Sequence, residues 1–188
     1  MNQEITKLKN ILNTNDITNP YKVVIIPHIS PDGDAAGSCS AFSQLLDKIG
    51  VAWHIVSADY FPENLLFLKN IDKYISMQTN IELCENLIID ADYIFMLDHN
   101  TTKREGLLEK FTNKSKALKI IIDHHLYPDT QDIVISHVGI SSTCELLYNI
   151  IETIYGSDII DADIANSLYC GINTDTGGFN HSSSYPEV

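Results

Sequence analysis

Three times in this chain an aliphatic run of strand length stops at an aspartate or a histidine. Val23-Val24-Ile25-Ile26 runs into His28, Asp32 and Asp34. Tyr93-Ile94-Phe95-Met96-Leu97 runs into Asp98, and Ala117-Leu118-Lys119-Ile120-Ile121-Ile122 into Asp123-His124-His125. Near-continuous apolar runs of this length suit strands buried on both faces, as in parallel sheets. Between them lie stretches with helical spacing. The clearest is 142–155, where Leu146, Leu147, Ile150, Ile151 and Ile154 share a face.

The spacing predicts strands at 22–27, 51–57, 93–97, 118–122 and 133–138, with a weak one near 73–77. Helices are expected at 35–49 (ending at Gly50), near 63–69, at 104–113, 142–155 and 161–172. Strands alternating with helices imply an α/β fold: a doubly wound, mainly parallel sheet with helices on both faces. Ligands of such sheets bind beyond the carboxyl ends of the strands. The acidic and imidazole residues fall there.

The 188 residues are read as a single domain. Hydrophobic residues make up 44% and charged residues 20%, enough apolar material for a core. A net charge of −13 argues against a dominant nucleic-acid groove, which needs clustered Lys and Arg. No signal peptide or membrane-length apolar run is seen, so the expected location is the cytoplasm, with no membrane partner. Cys39, Cys84, Cys144 and Cys170 form no CxxC pair and are read as free thiols. The polar stretch Asn180 to Val188 resembles a chain cut at a domain boundary.

His28-Ile29-Ser30-Pro31-Asp32-Gly33-Asp34 puts three ligand-type side chains on one turn. Asp32 and Asp34 would repel each other unless a cation neutralised them. Imidazole beside carboxylate favours Mn²⁺ over Mg²⁺. The bland alternative is a solvated Asp/Gly turn. Asp98 is a candidate bridging carboxylate or a simple loop acid, and His99 is read as a non-ligand. In the 123–125 run, Asp123 suits a supporting hydrogen bond to a histidine. Asp175, in Gly171-Ile172-Asn173-Thr174-Asp175-Thr176-Gly177-Gly178, is a ligand or the cap of a Gly-rich turn. Ser142 and Glu145 fit a capping box, with phosphate at the helix N-terminus as the alternative. Arg104 is a phosphate clamp or a solvated helix residue.

With these residues in place the chain resembles the DHH phosphoesterase family over about residues 20–184. HISPDGDAAGS at 28–38, LDHN at 97–100 and IDHH at 122–125 carry the resemblance. SSTCELLY at 141–148 and GINTDTGGF at 171–179 are similar to the nanoRNase/pAp phosphatase branch. The resemblance implies two divalent metal ions, Mn²⁺ foremost and Mg²⁺ as alternative. One would be held by His28, Asp32 and Asp98, the other by Asp34, Asp98, His124 and Asp175. It also implies that His125, Arg104 and Ser142 meet substrate and that Asp123 supports the site.

The implied activity is hydrolysis of short oligoribonucleotides or of 3′-phosphoadenosine 5′-phosphate by a two-metal mechanism. Alternatives are a cyclic or linear dinucleotide phosphodiesterase, an exopolyphosphatase, or a non-catalytic binding module. Expected partners are a small nucleotide or phosphoester, with short single-stranded RNA and a homodimer left open. Members of this branch carry a further C-terminal substrate-binding domain, expected to be absent from these residues. They also have Arg where this chain has Asn180.

Overall fold

The computed structural model describes residues 2–13 and 21–181. The polar stretch beyond residue 181 lies outside them. Among the described residues, six strands form one sheet: β1 (Lys22–Pro27), β2 (Ala52–Ser57), β3 (Ile75–Ser76), β4 (Tyr93–Leu97), β5 (Leu118–Asp123) and β6 (Ile133–Ser136). Their order is β3-β2-β1-β4-β5-β6, and every pairing is parallel. The helices are α1 (Asn2–Asn13), α2 (Gly33–Lys48), α3 (Ile81–Ile89), α4 (Glu109–Lys114), α5 (Thr143–Tyr155) and α6 (Ala162–Asp175).

Alternating side chains feed two cores. Val23, Ile25, Phe95, Leu97, Ile120 and Ile122 pack with α1, α2, α5 and α6. Val24, Ile26, Ile94, Met96 and Ile121 pack with α3 and α4. The strands therefore read as unbroken apolar runs because both faces are covered. The fold is the expected doubly wound α/β sheet. No helix among the described residues is long and apolar enough to cross a membrane. All four cysteines are free, three of them buried.

Local expectations fared unevenly. The 63–69 segment holds only a 3-10 turn at Glu63–Leu65. The 104–113 helix starts as 3-10 turns over Thr102–Leu108, broken at Gly106 with φ 61°, before α4 begins. Helices α1 and α3 were not foreseen. Helix α1 does carry a helical pattern, with Ile5, Leu8 and Leu12 buried on one face, whereas α3 is a short stretch with exposed Ile81, Leu83 and Ile89. Helix α6 runs to Asp175, beyond the expected end at 172, so Asp175 closes a helix rather than capping a turn.

The winding reverses at β1, which pairs with β2 on one side and β4 on the other. A crevice opens there above the strand ends. Helices α2 and α6 cross it closely because glycines stand at the contact. A Cβ on Gly37 would lie 2.5 Å from the Ser167 carbonyl, and one on Gly33 would collide with the Thr174 side chain. A Cβ on Gly171 would collide with Cys144 Sγ and stand 2.6 Å from Asp34 Oδ1. Gly171→Ala is thus expected to cost roughly 1–3 kcal/mol by overpacking and to push Asp34 out of place. A thermal melt checks it; an unchanged midpoint would show that the crossing has slack.

Candidate metal centre

Each end of the crevice receives its side chains from a different element. His28 follows β1. Asp32 caps α2, its Oδ1 accepting from the N–H groups of Asp34 (3.0 Å) and Ala35 (3.1 Å), and Asp34 sits in the first turn. Asp98 follows β4 with φ 62°, a left-handed conformation costly for most residues but tolerated by Asp. Asp123 ends β5, with His124 and His125 directly after it. Asp175 is the last residue of α6.

These residues converge into groups whose ligand atoms lie within 4.8 Å of one another: His28, Asp32 and Asp98; Asp34, His124 and Asp175; and Asp98, His124 and His125. In the first, His28 Nε2 lies 3.7 Å from Asp32 Oδ2 and 3.4 Å from Asp98 Oδ2. In the second, His124 Nε2 lies 3.2 Å from Asp175 Oδ2 and 4.0 Å from Asp34 Oδ2. Asp98 stands between them, its Oδ1 3.8 Å from His124 Nε2.

The donor set fits divalent cations. His28 Nδ1 makes a 2.6 Å contact with the Ile29 carbonyl, which suits Nδ1–H as donor and leaves Nε2 buried with no hydrogen-bond partner. Ligand atoms about 2.1 Å from one cation stand roughly 3–3.5 Å apart, close to the spacings here. Asp98 and Asp34 are 2% and 0% exposed, so solvent cannot relieve their mutual repulsion. Burial, Asp98 and Asp175 together raise the Asp34 pKa well above the carboxylate range. Burial would lower the pKa of His28, but the nearby Asp32 and Asp98 carboxylates favour its charged form and lift it to about 10. His124 rises to about 9 against the same opposition from burial, chiefly through Asp175. Without a cation the site thus holds protons where positive charge is needed, and a metal would displace them.

His125 differs from its neighbour. Its Nδ1 lies 2.7 Å from Asp123 Oδ1, and its backbone N–H donates to Asp123 Oδ2 at 2.9 Å. Buried Asp123 thereby fixes the ring from behind. Arg104 Nη1 approaches His125 Nε2 at 3.3 Å, so Arg104 and His125 share the more open side of the crevice. Ser142 stands apart. It is fully buried as the N-cap of α5, and its hydroxyl accepts from Glu145 N–H at 3.0 Å. The capping box is incomplete, because the Glu145 carboxylate turns to the Ser141 N–H and hydroxyl instead.

His99 faces away from the cluster. Its ring nitrogens lie 3.1 Å from the Thr101 and Ile26 carbonyls, tying the β4 end to β1. Burial holds its pKa down at about 4.

Two contributors escaped the sequence reading. The first-turn N–H groups of α5 donate to Asp34: Thr143 N–H to Oδ2 at 2.6 Å and Cys144 N–H to Oδ1 at 2.9 Å. The Thr143 hydroxyl donates to Asp98 Oδ1 at 2.9 Å. The helix N-terminus thus receives an internal carboxylate. The run Ser141-Ser142-Thr143 points to capping or to a phosphate, and the anion that its first turn receives is instead the Asp34 carboxylate.

A doubly wound parallel sheet carrying clustered Asp and His above its switch point defines an α/β domain with side chains that could hold metal ions. The chain belongs to the DHH family: the model for the DHH family N-terminal domain matches residues 22–172. An exopolyphosphatase-related protein from Bacteroides fragilis is 34% identical with a TM-score of 0.93, covering 100% of this chain and 54% of that one. The chain therefore spans about half the length of that relative. CDC45 from Entamoeba histolytica gives a TM-score of 0.55 at 14% identity over 93% of this chain and 33% of that one. RecJ from Thermus thermophilus, in complex with Mn²⁺, gives 0.50 at 13% over 94% and 26%. At such identities these last two likenesses extend to the fold alone.

Proposed function

We propose that this chain is the metal-binding catalytic part of a phosphoester hydrolase that uses two divalent cations, Mn²⁺ foremost. The observation that carries the reading is the position of Asp98. Its two oxygens face His28 Nε2 at 3.4 Å and His124 Nε2 at 3.8 Å, so one buried carboxylate serves both groups. His28, Asp32 and Asp98 would hold one cation, and Asp34, Asp98, His124 and Asp175 the other. When bound, such a pair supplies Lewis-acid activation of water and neutralises charge on phosphoryl oxygens.

The protein's own groups do the rest. Arg104 offers a guanidinium to a substrate phosphate on the open side. His125, held through Nδ1 by Asp123, presents Nε2 on that same side, where it can donate to a phosphoryl oxygen or pass a proton. Ser142, buried as a cap, would act through helix placement.

Short oligoribonucleotides and 3′-phosphoadenosine 5′-phosphate are the substrates favoured by the motifs at 141–148 and 171–179. The name of the Bacteroides fragilis relative favours a second reading, inorganic polyphosphate. Rates with Mn²⁺ on a diribonucleotide, 3′-phosphoadenosine 5′-phosphate and tripolyphosphate, using the full-length protein, separate them. Hydrolysis of the nucleotides at least tenfold faster than of tripolyphosphate is expected, read as mononucleotide product for the diribonucleotide and as phosphate for the other two. The reverse order would move the assignment to polyphosphate, and no metal-dependent hydrolysis of any would defeat the hydrolase reading.

A further inference from the structure

Asp34 and Asp98 pose a physical problem. Asp34 belongs to one proposed cation set and Asp98 to both, both are buried, and the charge of Asp98 raises the cost of charge on Asp34. We infer that Thr143 is the positioning residue that holds these two carboxylates in fixed relation, and that metal affinity depends on its hydroxyl. This inference rests on the proposed metal site.

Three hydrogen bonds carry it. Thr143 N–H reaches Asp34 Oδ2 at 2.6 Å, and Thr143 Oγ1–H reaches Asp98 Oδ1 at 2.9 Å. Cys144 N–H completes the grip on Asp34 at 2.9 Å. One buried residue at the start of α5 thus ties a carboxylate from α2 to a carboxylate from the β4 end. The α5 first turn adds the positive end of a helix dipole to Asp34.

The hydroxyl also sorts the oxygens of Asp98. It donates to Oδ1, which also lies 3.8 Å from His124 Nε2, while Oδ2 is left for the His28 side. Without that proton the carboxylate could rotate, and neither group would keep a fixed ligand. Gly171 protects the arrangement by leaving no Cβ against Asp34 and Cys144. Hydrogen bonds that orient metal-binding carboxylates typically change affinity by about 10- to 100-fold.

The test is calorimetric Mn²⁺ titration of the metal-free protein and of Thr143→Val and Thr143→Ser, with circular dichroism and a melt of each metal-free form. Val keeps the backbone N–H and the shape but loses the hydroxyl; Ser restores it. Thr143→Val is expected to fold and to bind Mn²⁺ at least tenfold more weakly, with Thr143→Ser within about threefold of the original. A spacer role alone would give the opposite ranking, with Val normal and Ser impaired. Val binding at full affinity and stoichiometry would overturn the inference while leaving the metal site standing. An original chain that binds no Mn²⁺ would overturn both. Should Val fail to fold, Thr143→Ala makes the same deletion without an added methyl, and normal Mn²⁺ affinity in Ala would be equally fatal.

Discussion

Asp98→Ala is expected to abolish Mn²⁺ binding at both groups and to lower phosphoester hydrolysis by about 10³-fold or more. The magnitude follows from losing metal assistance worth several kcal/mol, at tenfold in rate for each 1.36 kcal/mol. Among the described residues, no other side chain approaches both His28 and His124 on separate oxygens. Single losses at Asp32 or Asp175, each confined to one group, should leave one cation bound. Calorimetric stoichiometry reads the contrast directly: none for Asp98→Ala against one for Asp175→Ala. Retention of two ions by Asp98→Ala would disprove the bridging role. The change should not unfold the chain, because removing a buried carboxylate also removes its repulsion with Asp34.

The second large effect lies away from the crevice, at Glu105. This side chain is fully buried, its Oε2 accepting from the Thr112 hydroxyl at 2.5 Å and its Oε1 without a partner. Burial lifts its pKa from 4.5 to about 8, so the folded protein keeps it neutral at pH 7. Below pH 4.5 the carboxyl is protonated in both folded and unfolded chains, and its favourable contribution is complete. As pH rises from 4.5 to about 8, only the unfolded chain ionises. Stability therefore falls by about 1.4 kcal/mol per unit and levels off beyond about pH 8. The total is on the order of 5 kcal/mol, a large share of the stability of a typical domain.

Glu105→Gln cannot ionise and keeps an oxygen for Thr112. Its stability relative to the original should climb steadily between pH 5 and pH 8 in denaturant melts. Any packing cost of the amide shifts that difference curve without changing its slope. A flat curve would mean that Glu105 is already ionised in the folded protein.

The strands were legible because burial on both faces leaves an unmistakable apolar run, as at Ile120-Ile121-Ile122. The clustering of His28, Asp98 and the 123–125 residues followed from their place at strand ends, which the parallel topology forces together. What escaped depends on contacts distant in sequence. Helix α3 carries exposed Ile81, Leu83 and Ile89, which blur its face. The extension of α6 through Thr174 and Asp175 runs against their modest helix propensity and is held by packing against α2 at Gly33. The role of Thr143 is invisible until α5, α2 and the β4 end meet. Local pattern cannot report which carboxylate a helix N-terminus will receive.

The winding of the sheet also orders the assembly of the centre in time. A chain emerging from synthesis has His28, Asp32 and Asp98 in hand once β4 is made, whereas the other group waits for Asp175 at the end of α6. Thr143 and Cys144, which hold Asp34 in place, arrive shortly before it. While α5 is still missing, the earlier half has its ligand residues but lacks the Thr143 hydroxyl that orients Asp98. The later half closes only when the final helix docks across α2, so on the proposed two-cation reading the second ion would mark completed folding.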